Sequence, residues 1–147
     1  MMEPQAQQLA DAVAKAMFAR DVAVQTQGIT ILETRPGYAR ATMRVRADML
    51  NGHAICHGGI IFTLADSAFA YACNSYNRAT VAAGASIDFL KPAHPGDELV
   101  AVATERSRAK RSGIYDVTVH NQKGEAVALF RGRSRELSST VMEALAR

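Results

Sequence analysis

The period of apolar and polar positions changes several times along this chain, and the changes mark out its elements. From Pro4 to Arg20, Leu9, Val13, Ala16 and Met17 recur at helical spacing, and Pro4 suits a first helical turn. Gly28 to Thr34 is rich in Ile and Thr and reads as a short strand, closed by the turn residues Arg35-Pro36-Gly37. Tyr38 to Arg46 alternates. Ala39, Ala41, Met43 and Val45 are expected inside, while Arg40, Thr42, Arg44 and Arg46 face water. An apolar, helix-like run from Ile60 to Ala72 follows, carrying one acid, Asp66, and polar residues Asn74 to Arg78 end it.

Four strand-like stretches complete the chain. Thr80 to Leu90 holds Gly84 as a candidate bulge, and a wide turn, Lys91 to Asp97, follows it. Glu98 to Glu105 is the next, then a basic connection from Ser107 to Arg111. Gly113 to His120 alternates, with Tyr115, Val117 and Val119 on one side, and Asn121 to Gly124 is a hairpin turn. Glu125 to Arg135 is the last. Its portion Ala126 to Phe130 is apolar on both faces, which predicts cover on both sides, and beyond it Arg131, Arg133 and Arg135 share a face. The tail from Ser138 to Arg147 forms a short helix or frays.

Helix, two strands, an apolar helix and four strands joined by short turns imply an α+β fold. An antiparallel sheet should wrap around the central helix. With no linker, internal repeat or low-complexity tract, residues 1–147 are expected to form a single domain.

Composition and charge add three points. No apolar run reaches the roughly 18 residues of a membrane span, and the start lacks the basic and apolar segments of a signal peptide, so a cytoplasmic location is the default. Cys56 and Cys73 fit reduced thiols there. A metal site is not expected, because His53, Cys56 and His57 lack the second ligand pair that zinc sites draw on. The net charge is only +3, yet Glu105 to Arg135 holds eight Lys/Arg against three acids. Such a region suits a solvated face, nucleic acid or a phosphorylated ligand.

The candidate chemistry lies in Leu50 to Gly59 and the helix it opens. Gly58 and Gly59 begin the apolar period, where their missing side chains would let a ligand approach the free N–H groups of a helix start. Those groups favour a phosphate or the oxygen of a polarised carbonyl, although a glycine pair also serves tight packing. Asp66 weighs towards chemistry. It sits among Ile61, Phe62, Leu64, Ala65, Ala68 and Phe69, where a lone carboxylate is costly unless paired or functional. Eight residues separate Gly58 from Asp66, about 12 Å along a helix. A reacting carbonyl must lie about 3 Å from both groups that act on it. One helix cannot supply both, but two antiparallel copies can, so the spacing predicts a homodimer with two sites across a two-fold interface. Asn51 and His53 precede the helix in a loop, and a side-chain amide there can hold a water or a carbonyl oxygen. Cys56 beside His57 does not by itself make a nucleophilic pair, and a Ser-His-Asp triad has no elbow motif here.

Asn51-Gly52-His53, then His57-Gly58-Gly59, then Leu64 to Ala70 resemble the hotdog-fold acyl-CoA thioesterases, specifically the PaaI type of phenylacetic acid degradation. Ser86 to Pro92, Gly96-Asp97, Gly113 to Val117 and Val127 to Gly132 extend the match, which spans about Gly28 to Leu137. The resemblance implies a hotdog fold, a dimer with a joined sheet, usually a tetramer of two dimers, and hydrolysis of a coenzyme A thioester with no cofactor or metal. The expected acyl groups are aryl-acetyl, such as phenylacetyl or hydroxyphenylacetyl, or medium-chain. The resemblance gives the Gly58 N–H the thioester carbonyl and Asn51 the water or the carbonyl. Asp66 of the partner subunit would be general base or nucleophile, and the Ser86 hydroxyl would assist. His57 and Gly59 frame the substrate, and Phe62 belongs to the acyl pocket. The phosphates of coenzyme A need cations, for which Arg108, Lys110, Arg111 and Arg131 are candidates. The N-terminal helix and the tail depart from the pattern. Two alternatives stand beside hydrolysis: a hotdog enoyl-CoA hydratase or dehydratase, and a non-catalytic acyl-CoA-binding regulator. Neither nucleic acid nor membrane is an expected partner.

Overall fold

The apolar run of the sequence becomes a helix because a side chain caps its start and another ends it. In the computed structural model, which describes residues 3–147, α3 spans Gly58–Cys73. His57 Nδ1 accepts the Gly59 N–H at 2.9 Å as N-cap. At the other end the Asn74 amide donates to the Ala70 and Thr80 carbonyls and accepts the Thr80 N–H, so one side chain stops the helix and starts the next strand. The preceding elements are α1 (Glu3–Arg20), α2 (Val22–Thr26), β1 (Thr30–Arg35) and β2 (Tyr38–Arg44). After α3 come β3 (Thr80–Phe89), β4 (Glu98–Ala109), β5 (Ser112–His120), β6 (Ala126–Glu136) and a short α4 (Val141–Leu145).

The six strands form one antiparallel sheet in the order β1-β2-β4-β5-β6-β3. Its concave face wraps α3, as the α+β hotdog expectation required. The inward positions of β2 and β5 are the ones their alternation predicted: Ala39, Ala41, Met43, Tyr115, Val117 and Val119 are all buried. Leu99, Ala101 and Ala103 of β4 join them, opposite Leu64, Ala65, Ala68, Phe69 and Ala72 of the helix. Alanine on both surfaces brings helix and sheet close together, so small volume changes are felt there. The bulge expected near Gly84 is present, as a register shift between Ala82 and Gly84. Among the described residues no helix is long and apolar enough to cross a membrane.

Three expectations need correction. β3 does not neighbour β4, which follows it in sequence. It crosses to the far edge of the sheet and pairs with β6. The basic connection is largely strand: β4 continues to Ala109 through a register shift between Glu105 and Ser107. The segment Ala126 to Phe130 is covered on both sides only in part: Val127, Ala128 and Phe130 are buried, but Ala126 is exposed and Leu129 is 45% exposed.

α1 packs on the β1 side through buried Ala10 and Val13, and Gln7 Nε2 donates to the Thr34 carbonyl at 2.7 Å. The opposite edge, β3, is left bare. Val81 is 47% exposed, Phe89 53%, and Leu90 just beyond the strand 54%.

Gly132 of β6 shows how tight the helix–sheet contact is. A Cβ built there falls 2.7 Å from the Phe69 ring, whose neighbours are Tyr115 and Phe130. Gly132→Ala is expected to lower stability by about 1–3 kcal/mol through overpacking. Gly52→Ala, where an added Cβ meets nothing within 4 Å, should change it by no more than about 0.5 kcal/mol. Urea midpoints measure both, and equal midpoints would remove the packing argument.

Candidate active site

The loop before α3 is held by its own backbone. The Asn51 N–H donates to the Ile55 carbonyl at 2.9 Å, Cys56 to Ala93 at 2.8 Å, and His57 to Met49 at 2.8 Å. The Asn51 side chain joins in through its oxygen, which accepts the His53 N–H at 2.9 Å and the Ile55 N–H at 3.4 Å. Its NH2 group is therefore left to donate elsewhere. Asn51 and Gly58 line the same cavity, of about 410 Å³, with Ile55, Cys56, Ile61, Phe89, Leu90, Lys91 and Pro92. Two of the expected site residues thus meet.

An α-helix begins with four N–H groups that lack an intrahelical partner. Here three are used. The His57 N–H donates to the Met49 carbonyl at 2.8 Å, His57 Nδ1 takes the Gly59 N–H, and the His57 carbonyl takes that of Ile60 at 2.9 Å. The Gly58 N–H alone has no partner among the described residues, and it borders the cavity. The glycine pair therefore has two separate duties. Gly58 offers the donor; Gly59 lies against the His57 ring, 3.1 Å from Nδ1 to a Cβ built on it. His57 braces the helix start, and with Nδ1 accepting, its remaining proton sits on Nε2.

Asp66 lies on the strip of α3 that the sheet leaves uncovered, with Gly59, Phe62, Thr63 and Ala70, all less buried than the opposite face. It is half-buried, and burial alone raises its carboxyl above the ordinary aspartate range, with no hydrogen bond or counter-charge among the described residues to offset it. The nearby hydroxyls are committed elsewhere: Thr63 Oγ1 donates to the Gly59 carbonyl and Ser67 Oγ to the Thr63 carbonyl. Within one protomer, Asp66 and the Gly58 N–H stay two turns apart on a continuous helix. Phe62 stands edge-on to Phe130, ring centroids 5.3 Å apart.

The remaining expected residues are not brought to the loop. Ser86 is opposite Arg131 in the β3–β6 register, and Arg131 is opposite Asp116 in β5. All three line a hollow on the outer face of the sheet, away from α3. Arg131 grips Asp116 with two hydrogen bonds, 2.6 and 2.9 Å, which hold that carboxyl below its usual range. Arg108 pairs with Glu136 at 3.2 Å and stacks on Tyr76. Lys110 and Arg111, at the β4–β5 turn, form no ion pair among the described residues. Cys56 is buried and its thiol is pushed up to about 11, far from a thiolate at neutral pH. Among the described residues no three His, Cys, Asp or Glu side chains gather as a metal site. Phe89 and Leu90 in the cavity wall were not identified from sequence as site residues. They read as ordinary strand positions, and only the placement of β3 beside the loop reveals them.

The capping role of His57 is testable. His57→Ala should cost about 0.5–2 kcal/mol in stability and leave substantial turnover, while His57→Asn, also a good cap, should restore the loss. A His57→Asn protein that is stable but inactive would instead make the ring catalytic.

Comparison with known proteins agrees with this geometry. The thioesterase superfamily profile matches residues 53–128. The acyl-coenzyme A thioesterase PaaI of Escherichia coli is 48% identical over 128 residues, covering 87% of this chain and 91% of that protein. The crystal structure of E. coli PaaI, from the phenylacetic acid degradation operon, superposes with a TM-score of 0.90 at 47% identity, covering 91% of this chain and 97% of that one. A Streptococcus mutans structure bound to acetyl CoA superposes with a TM-score of 0.73 at 27% identity, covering 76% and 90%. The chain belongs to the thioesterase superfamily, with the hotdog fold, and is a PaaI-like acyl-CoA thioesterase.

Proposed function

We propose that the chain hydrolyses aryl-acetyl or medium-chain acyl-CoA in two equivalent sites, each shared between the subunits of a homodimer. The observation that carries this is the single free N–H at Gly58, two helical turns from an unpartnered, half-buried Asp66 on the same helix. The bare edge of β3 supports the assembly, because an exposed apolar edge strand is a template for pairing. Antiparallel pairing of two β3 edges would set the helices side by side in opposite senses. A further pairing of dimers follows from the resemblance, and exposed Leu129 on the outer face supports it.

In this reading the thioester carbonyl accepts the Gly58 N–H, and the Asn51 NH2 holds the attacking water or the carbonyl oxygen. Asp66 of the partner subunit takes a proton from water as oxygen bonds to the carbonyl carbon. Negative charge collects on the carbonyl oxygen, where the fixed N–H and the α3 dipole stabilise it. The C–S bond then breaks, the thiolate of coenzyme A takes the proton, and the free acid remains. Direct attack by the carboxylate, giving an anhydride that water opens, uses the same groups. Enoyl-CoA hydration would want a histidine paired with an acid, and the cap bond that occupies His57 Nδ1 argues against it. The E. coli relative's origin in a phenylacetic acid degradation operon supports an aryl-acetyl substrate.

Lys110 and Arg111 are the proposed contacts for the coenzyme A phosphates, in preference to Arg108 and Arg131, which are already paired. They lie near the Thr80 end of β3, roughly 30 Å from Phe89 at about 3.3 Å per residue. Antiparallel pairing of β3 would carry the basic end of one subunit towards the Gly58 loop of the other.

Asp66→Asn should lower kcat by about 10²- to 10⁴-fold, the usual worth of a general base. Its thermal midpoint at neutral pH should be equal to or above that of the parent chain. The sign follows from burial: the folded carboxyl has the higher pKa, so its ionisation destabilises the fold as pH rises from the unfolded to the folded value, and Asn has no such loss. For the same reason, activity should fall on acidification through a pKa above the ordinary aspartate range. Full activity in Asp66→Asn sinks the mechanism. Gly58→Pro removes the donor and keeps the helix start, since proline suits the first helical position and His57 is already extended; because its Cβ also presses on Phe89, Gly58→Ala, which adds that Cβ but keeps the N–H, is the control and should stay more active than Gly58→Pro. Asp66→Asn and Gly58→Pro alone should each be inactive, whereas mixed dimers of the two should regain one working site; no recovery in folded mixed dimers would reject sharing.

A further inference from the structure

Phe89 is the side chain nearest to the Cβ position of Gly58, the residue that carries the free N–H. A Cβ built on Gly58 would lie 3.0 Å from Phe89 Cζ and 3.4 Å from each Cε, so the ring meets the glycine tip-first. The backbone under it is fixed. Phe89 is in register with Ala128, and the Leu90 and Lys91 N–H groups both donate to the Val127 carbonyl. Phe89 is 53% exposed, so its side chain is not fixed by the core of this chain.

The cavity beside it has a single chemical character. Ile55, Ile61, Leu90 and Pro92 are apolar walls, and Lys91 is paired with Glu125. Cys56 also lines it, its thiol directed to the His57 carbonyl, which leaves Asn51 and the Gly58 N–H as the donors without a partner among the described residues. A carbonyl oxygen bonded to that N–H sits about 3 Å from the nitrogen. The atoms attached to its carbon then occupy the cavity that Gly58 and Phe89 both line.

We propose that Phe89 is a specificity-determining residue: its ring is the wall of the acyl subsite beside Gly58, and it selects compact aryl groups over long flexible chains. The proposal rests on the assignment of the Gly58 N–H to the thioester carbonyl. An aryl group reaching the ring gains an edge or offset-stacked contact, and a linear chain gains none of that geometry.

The test is kcat/KM for acetyl-, hexanoyl-, decanoyl- and phenylacetyl-CoA with the parent chain, Phe89→Ala and Phe89→Leu, with thermal midpoints recorded alongside. The parent should favour phenylacetyl-CoA over decanoyl-CoA. Phe89→Ala should reduce that ratio about tenfold, the equivalent of about 1.4 kcal/mol, with decanoyl-CoA turnover maintained or raised. Phe89→Leu keeps apolar bulk and should also lose the aryl preference, so the test survives if the alanine chain is unstable. A uniform change across all four substrates overturns the proposal. Gly58→Pro, read against Gly58→Ala, which adds the same Cβ but keeps the N–H, separates the two assignments. If it stays fully active, the carbonyl assignment fails. If it is inactive and the Phe89 variants keep the parent ratios, only the role of Phe89 fails.

Discussion

A rigid helix cannot bring its own first N–H and its ninth side chain to the same atom. Everything about the candidate site follows from that constraint. α3 is unbroken from Gly58 to Cys73, capped at both ends by side chains and clasped along one face by a sheet of six strands. It has no freedom to bend Asp66 towards the cavity that Gly58 borders. A protomer therefore presents two incomplete halves, and the shared site proposed for the dimer is the arrangement in which both become useful.

The electrostatics of the two halves are complementary. At the helix start, two of the four N–H groups are spent on His57 and its own N–H on the Met49 carbonyl, which concentrates the donor capacity of the turn in one position. In the middle of the helix, burial raises the cost of a negative charge on Asp66, which makes its carboxylate a better proton acceptor than a solvated one. One end is prepared to receive developing negative charge, and the other is prepared to give its own up.

How much of this was legible in the sequence depended on range. Alternation placed the inward residues of β2 and β5 correctly, because a period of two is a property of the strand alone. The Gly58–Asp66 separation was equally local. The position of β3 was not legible, because the sequence gives no sign that the strand crosses to the far edge, and with it Phe89 went unread. Arg108 and Arg131 looked like free cations for the same reason. Their partners Glu136 and Asp116 are 28 and 15 residues away, and only strand register brings them together. Leu129 shows the limit of an apolar run as evidence of burial: its outer neighbours leave it nearly half exposed in the protomer.

The two edges of the sheet are built differently. β1 carries Glu33 and Arg35, paired with each other, and α1 lies against it with Gln7 bonded to the Thr34 carbonyl. β3, from Thr80 to Phe89, has a single charged residue and no proline. Charge and covering helices are what keep an edge from recruiting another strand. A sheet guarded on one side and open on the other can be extended only once, since a second copy joined through its own open edge leaves guarded edges at both ends. In the proposed dimer, growth would terminate at a continuous sheet of twelve strands, from two copies of the six described here. The same bare strand that would make a long polymer of a symmetric sheet would, in the proposed dimer, make a closed pair of this one.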